Sequence, residues 1–168
     1  MNSRDAARVA VQSALVSLVS YWCGFYFTSF FHGASASIGG LWSVISGIVV
    51  LQATRRNTWS SAWLRILGTL VGAIVSAAYL FWLPFTAIGM AASILVTVLL
   101  CHAARIPDHA RLAAITVAVI MVLSSLNPTL SPILSAALRF TESCIGTAIA
   151  LLAVVMWPGP LAPPAAEA

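Results

Sequence analysis

The chain has 168 residues, 61% of them hydrophobic and only 7% charged, with a mean hydropathy of +1.00. An ordinary soluble domain carries about 25% charged residues, and a chain this short cannot hide so much apolar surface in a core, so lipid is the solvent for most of it. The net charge of +4 comes from eight arginines, no lysine and four acidic residues. Because the arginines sit singly or in pairs between apolar runs, they read as orientation signals and not as a nucleic-acid-binding face.

Taken in order, the apolar runs predict an all-α polytopic membrane protein with six transmembrane helices in residues 1–157. The first runs from about Ala7 to Phe31. Its apolar stretch is too long for the core of a cleaved signal, about 7–15 residues, and long enough to span a bilayer. A charge-free connector, His32 to Gly40, overlaps the start of a short second span, about Ile38 to Thr54. Arg55-Arg56-Asn57 reads as a basic turn before a third span, about Ala62 to Leu83. Pro84 makes a tight hairpin into the fourth, about Phe85 to Ala104. The polar connector Arg105 to Arg111 precedes the fifth, about Leu112 to Leu126, and Asn127 to Pro132 turns into the sixth, about Ile133 to Trp157. Residues 158–168, PGPLAPPAAEA, read as a Pro/Ala-rich cytoplasmic tail.

Arg4, Arg8, Arg55, Arg56, Arg105 and Arg111 fall on one side of this arrangement, and the connectors on the other side carry no basic residue. The positive-inside rule places both termini in the cytoplasm. Arg65 and the following Gly68 and Thr69 are faintly echoed by Arg139, Gly146 and Thr147, which suggests a 3+3 inverted repeat of the kind transporters use.

Within the spans, helix association depends on small and hydroxyl residues. Ser13, Ser17, Ser20, Gly24 and Thr28 make a stripe on the first span, and Ser43, Ser46 and Gly47 one on the second. Gly68 and Gly72 form a GxxxG step on the third, and Gly146 extends the polar face of the sixth, so Gly47, Gly68, Gly72 and Gly146 are the candidate packing positions. Arg139 and Glu142 lie three residues apart inside the sixth span and can share a helical face. Ionisable residues in hydrocarbon are costly and face a partner or a cavity. Two readings stay open for them, an ion pair fixing the packing and a substrate or proton site. Cys23, Cys101 and Cys144 lack metal or disulfide spacing. His32, His102 and His109 read as interfacial histidines. No metal, cofactor or catalytic constellation is expected, and the chain is not expected to be an enzyme.

Trp42, Gln52, Arg65 and Gly68-Thr69-Leu70-Val71-Gly72, followed by Arg139, Gly146 and Pro158, resemble the ordered pattern of the fusaric acid resistance and aromatic acid exporter family, often labelled FUSC. Plant aluminium-activated malate transporters are distantly similar to it. The resemblance covers essentially the whole membrane portion. It implies a bacterial inner-membrane exporter of aromatic carboxylates or related organic anions, sometimes working with a periplasmic adaptor. Longer members carry a large cytoplasmic region, and a single six-span unit is expected to form a homo-oligomer. On side-chain chemistry, Arg65 and Arg139 are candidates for holding a carboxylate, Trp42 and Phe140 for stacking on its ring, and Glu142 for carrying a proton. An anion channel and a non-transporting membrane scaffold are the alternative expectations.

Overall fold

A computed structural model describes residues 3–52 and 55–157, with side chains from residue 7 onward except that of residue 55. The proposed tail, residues 158–168, lies outside the described residues. Six α-helices follow one another: α1 (Ser3–Phe31), α2 (Ala36–Val50), α3 (Arg55–Trp82), α4 (Ala87–Ala103), α5 (Ala110–Leu126) and α6 (Pro132–Met156). The described residues contain no strand. Five segments are long and apolar enough to cross a membrane, and α4 is a shorter apolar helix of 17 residues. At 1.5 Å per residue it is about 26 Å long, near the lower limit for spanning.

Two expected connectors prove to be helical. The connector from His32 is shorter than expected, since α2 begins at Ala36, two residues before the expected start near Ile38, after one 3-10 turn, Gly33–Ser35. Gly39 and Gly40 serve close packing instead, for a β-carbon at Gly40 would stand 2.8 Å from the Tyr21 ring on α1. Likewise Arg55-Arg56-Asn57 is the first turn of α3 and not a turn between helices. Arginine is a good helix former, and a helix can run past the hydrocarbon into the interface. The chain leaves α2 at Val50, and Thr58 Oγ1 ties the connection back, lying 3.2 Å from Gln52 N and 3.3 Å from Gln52 O.

Between α4 and α5 the chain reverses through Arg105, a non-glycine residue with φ 59°. A 3-10 turn, Pro107–His109, then runs directly into α5.

Among the described residues the contacts form two compact units, one up to residue 63 together with residues from 142 onward, the other of residues 64–141. In the first, α1 packs along α2, and Val16, Val50, Ala62 and Ala150 form a small core. In the second, α4 packs on α5. Its apolar clusters centre on Ala73, Ile120 and Ala136, and on Cys101, Ala110 and Ala113. Large apolar side chains such as Phe30, Trp82, Ile88 and Met156 stand exposed, as lipid-facing positions require.

Candidate functional site

A hydroxyl in lipid must find a partner, because no solvent supplies one. Serine and threonine can bond the carbonyl four residues back in their own helix. Ser17, Ser46, Ser76, Thr97, Thr116 and Thr141 all do so, at 2.7–2.9 Å. Such self-satisfied hydroxyls explain much of the polar striping without a ligand. The informative side chains are those that reach another helix.

In the first unit they converge on Glu142. Its carboxyl is fully buried in a helix long and apolar enough to cross a membrane. Thr28 of α1, also fully buried, donates its hydroxyl to Glu142 Oε1 at 2.5 Å. Ser43 of α2 donates to the Glu142 backbone carbonyl at 3.0 Å. One residue further along α6, Ser143 Oγ lies 3.1 Å from Ser46 Oγ. Hydroxyls thus join α6 to two other helices around Glu142, α1 at its carboxyl and α2 at its backbone carbonyl and at the neighbouring Ser143.

Glycines make that approach feasible. A β-carbon at Gly39 would strike Thr28 Oγ1 and stand 2.7 Å from Glu142 Oε1. Gly39 is the fourth residue of α2, so the carboxyl lies beside that helix's first turn, whose partial positive charge favours an anion. A β-carbon at Gly146 would run into the Ser43 carbonyl and lie 2.9 Å from Gly47 N; one at Gly47 would lie 2.9 Å from Ser20 Oγ. Trp42, 4% exposed, is on the same helix, and its carbonyl receives the Ser46 hydroxyl at 2.9 Å. Among the described residues, Ser20 Oγ and Thr147 Oγ1 are buried without a hydrogen-bond partner.

The other predicted residues belong to the second unit. Arg65 is 1% exposed and Arg139 2%, and Phe140 packs, half-buried, against the cluster of Ala73, Ile120 and Ala136. Gly68 and Gly72 seat α3 on α5: a β-carbon at Gly68 would stand 2.9 Å from Leu112 Cβ and 3.1 Å from the His109 carbonyl, and one at Gly72 2.5 Å from the Ala113 carbonyl. The proposed site residues thus fall into two sets, Trp42, Gly47, Glu142 and Gly146 in one unit, and Arg65, Gly68, Gly72, Arg139 and Phe140 in the other. Among the described residues no group of His, Cys, Asp or Glu is placed to hold a metal.

Sequence reasoning passed over Thr28 and Gly39 as parts of the carboxyl's setting. Thr28 lay in the first-span stripe, but nothing local pairs it with a residue 114 positions away. In the sequence His109 reads as an interfacial histidine; in the structure its side chain is buried, at 7% exposure.

The first unit also holds an apolar cavity of about 390 Å³ between α1 and α6, lined by Leu15, Val19, Leu152 and Met156 among others. At its polar end Gln12 Nε2 donates to the carbonyls of Ala153 and Trp157, each at 3.3 Å. The Arg8 guanidinium sits 5.8 Å from the Trp157 ring centroid.

The family described as fusaric acid resistance protein-like matches residues 15–153. No curated protein and no solved structure gives a significant match.

Proposed function

The chain belongs to the fusaric acid resistance protein-like family, a family of membrane transport and efflux, and from that premise we propose that it exports aromatic carboxylates or related organic anions in exchange for protons carried by Glu142. The observation that carries the reading is the fully buried Glu142 carboxyl, bonded to Thr28 at 2.5 Å within a membrane-crossing helix. A carboxyl so placed is expensive unless it has a function or a strong partner. One hydrogen-bonded seat beside a helix start suits a group that alternates between charged and neutral forms.

In this reading Arg65 and Arg139, buried cations in the second unit, attract the substrate carboxylate, and Phe140 of the same unit offers aromatic surface to its ring. The protein sits in a bacterial inner membrane with both termini inside. It works as a homo-oligomer, with a periplasmic adaptor as a candidate partner.

Reconstitution tests the reading. Proteoliposomes are expected to take up labelled benzoate faster under an imposed proton gradient, and Glu142→Gln is expected to abolish the gradient dependence. Unchanged gradient dependence in Glu142→Gln removes the proton role. Discrete current steps in a planar bilayer would replace the carrier with an anion channel, and absence of any anion movement would leave a scaffold.

A further inference from the structure

We infer that the start of α5 is a binding seat for a carboxylate-bearing organic anion, with the His109 imidazole as its side-chain donor. The inference rests on the export reading for its choice of ligand, but its geometry is independent of Glu142. His109 is the residue preceding α5, and no side chain caps that helix. It is only 7% exposed, and neither ring nitrogen has a hydrogen-bond partner among the described residues. Buried polar atoms are nearly always satisfied, so an imidazole left this way points to a ligand. The ring can supply one donor when neutral and two when protonated.

The second contribution comes from the helix. α5 has 17 residues; its first N–H, that of Ala110, is taken by the Pro107 carbonyl of the preceding 3-10 turn, and the N–H groups that follow lie at the positive end of the helix dipole. Such a terminus binds carboxylates and phosphates. The connector before it is fixed in shape: Arg105 adopts φ 59°, Ile106 N bonds the Cys101 carbonyl at 2.9 Å, and His109 N bonds the Ile106 carbonyl at 3.1 Å. Arg105, Asp108 and Arg111 around it are exposed, two cations and one anion in the surrounding sequence.

α3 brings a further charge to this end of α5. Gly68 approaches the His109 carbonyl and Leu112 within contact distance of a β-carbon. Arg65 precedes Gly68 by three residues and therefore shares that helical face. Its side chain is buried. Half-buried Ile106, packed on the cluster of Cys101, Ala110 and Ala113, gives an apolar flank suited to a ring or short alkyl group.

The test uses the full chain labelled with 15N-histidine in phosphatidylcholine nanodiscs, with benzoate as the probe and inorganic phosphate as a second arm. Signals are assigned by comparison with His32→Gln and His102→Gln. Benzoate is expected to shift the His109 ring nitrogens and leave the other two histidines in place. A shift with phosphate but not benzoate overturns the organic-anion assignment. His109→Leu is expected to weaken benzoate binding by about tenfold or more, the loss of a hydrogen bond to a charged group, and His109→Asn by less. His109 signals that do not respond to benzoate overturn the inference. If benzoate is nonetheless transported, the export reading survives that failure. If His109 responds but nothing is transported, the seat stands and the export reading falls.

Discussion

Gly146 marks how little room the first unit leaves for change. The β-carbon of an alanine there would meet the Ser43 carbonyl and Gly47 N, both backbone atoms, which cannot rotate aside as a side-chain tip can. Gly146→Ala is expected to cost about 1–3 kcal/mol, the usual range for overpacking, read as a lower unfolding temperature in detergent. Gly33→Ala is the matched control. A β-carbon there has no atom within 4 Å, and the change is expected to alter stability by less than about 0.5 kcal/mol. Thr28→Val keeps the shape and removes the donor to a buried carboxyl. It is expected to destabilise by about 1.5–3 kcal/mol, with Thr28→Ser recovering most of the loss. At this scale the four-residue steps of small residues are readable from the chain because their period is local. What each one meets is not, since Thr28 and Glu142 are 114 residues apart and Ser43 and Glu142 are 99 apart.

The helices themselves are legible where apolar periodicity runs unbroken, and least legible where glycine or charge imitates a loop. Gly39 and Gly40 look like a flexible connector in one dimension. In three dimensions they are the helical positions where α2 touches Thr28 and Tyr21. Arg55 and Arg56 look like a turn, but charge does not end a helix that can extend past the hydrocarbon. One element carries visible backbone strain. Arg105 at φ 59° occupies a left-handed conformation that costs a β-carbon-bearing residue about 1–2 kcal/mol. Arg105→Gly is therefore expected to stabilise the α4–α5 connection, raising the unfolding temperature. An unchanged or lower temperature would mean that the arginine side chain contributes at least as much as its backbone loses.

For the whole chain, membrane class follows from composition, because 61% hydrophobic and 7% charged residues leave no other solvent. The number of crossings is less secure from composition alone, since α4 is 17 residues long. Single cysteines placed in a cysteine-free background test it directly. Leu83→Cys and Asp108→Cys lie before and after α4, and a membrane-impermeant maleimide is expected to label them from opposite faces, Asp108→Cys from the cytoplasmic one. Labelling of both from one face would show that α4 does not cross. The division into two compact units was not legible, because counting spans along a line says nothing of which helices share contacts.

The partners of Glu142 have a consequence for biogenesis. A ribosome delivers α1 and α2 long before α6, yet the hydroxyls of Thr28 and Ser43 reach their acceptors only when Glu142 arrives. Until then Gly39 and Gly47 lack the α6 neighbours, Glu142 and Gly146, that they meet in the folded chain. Such long-range closure is slow and leaves an intermediate open to misassembly. The first unit is thus begun first and completed last, and quality control at the membrane would have a specific unfinished surface to recognise.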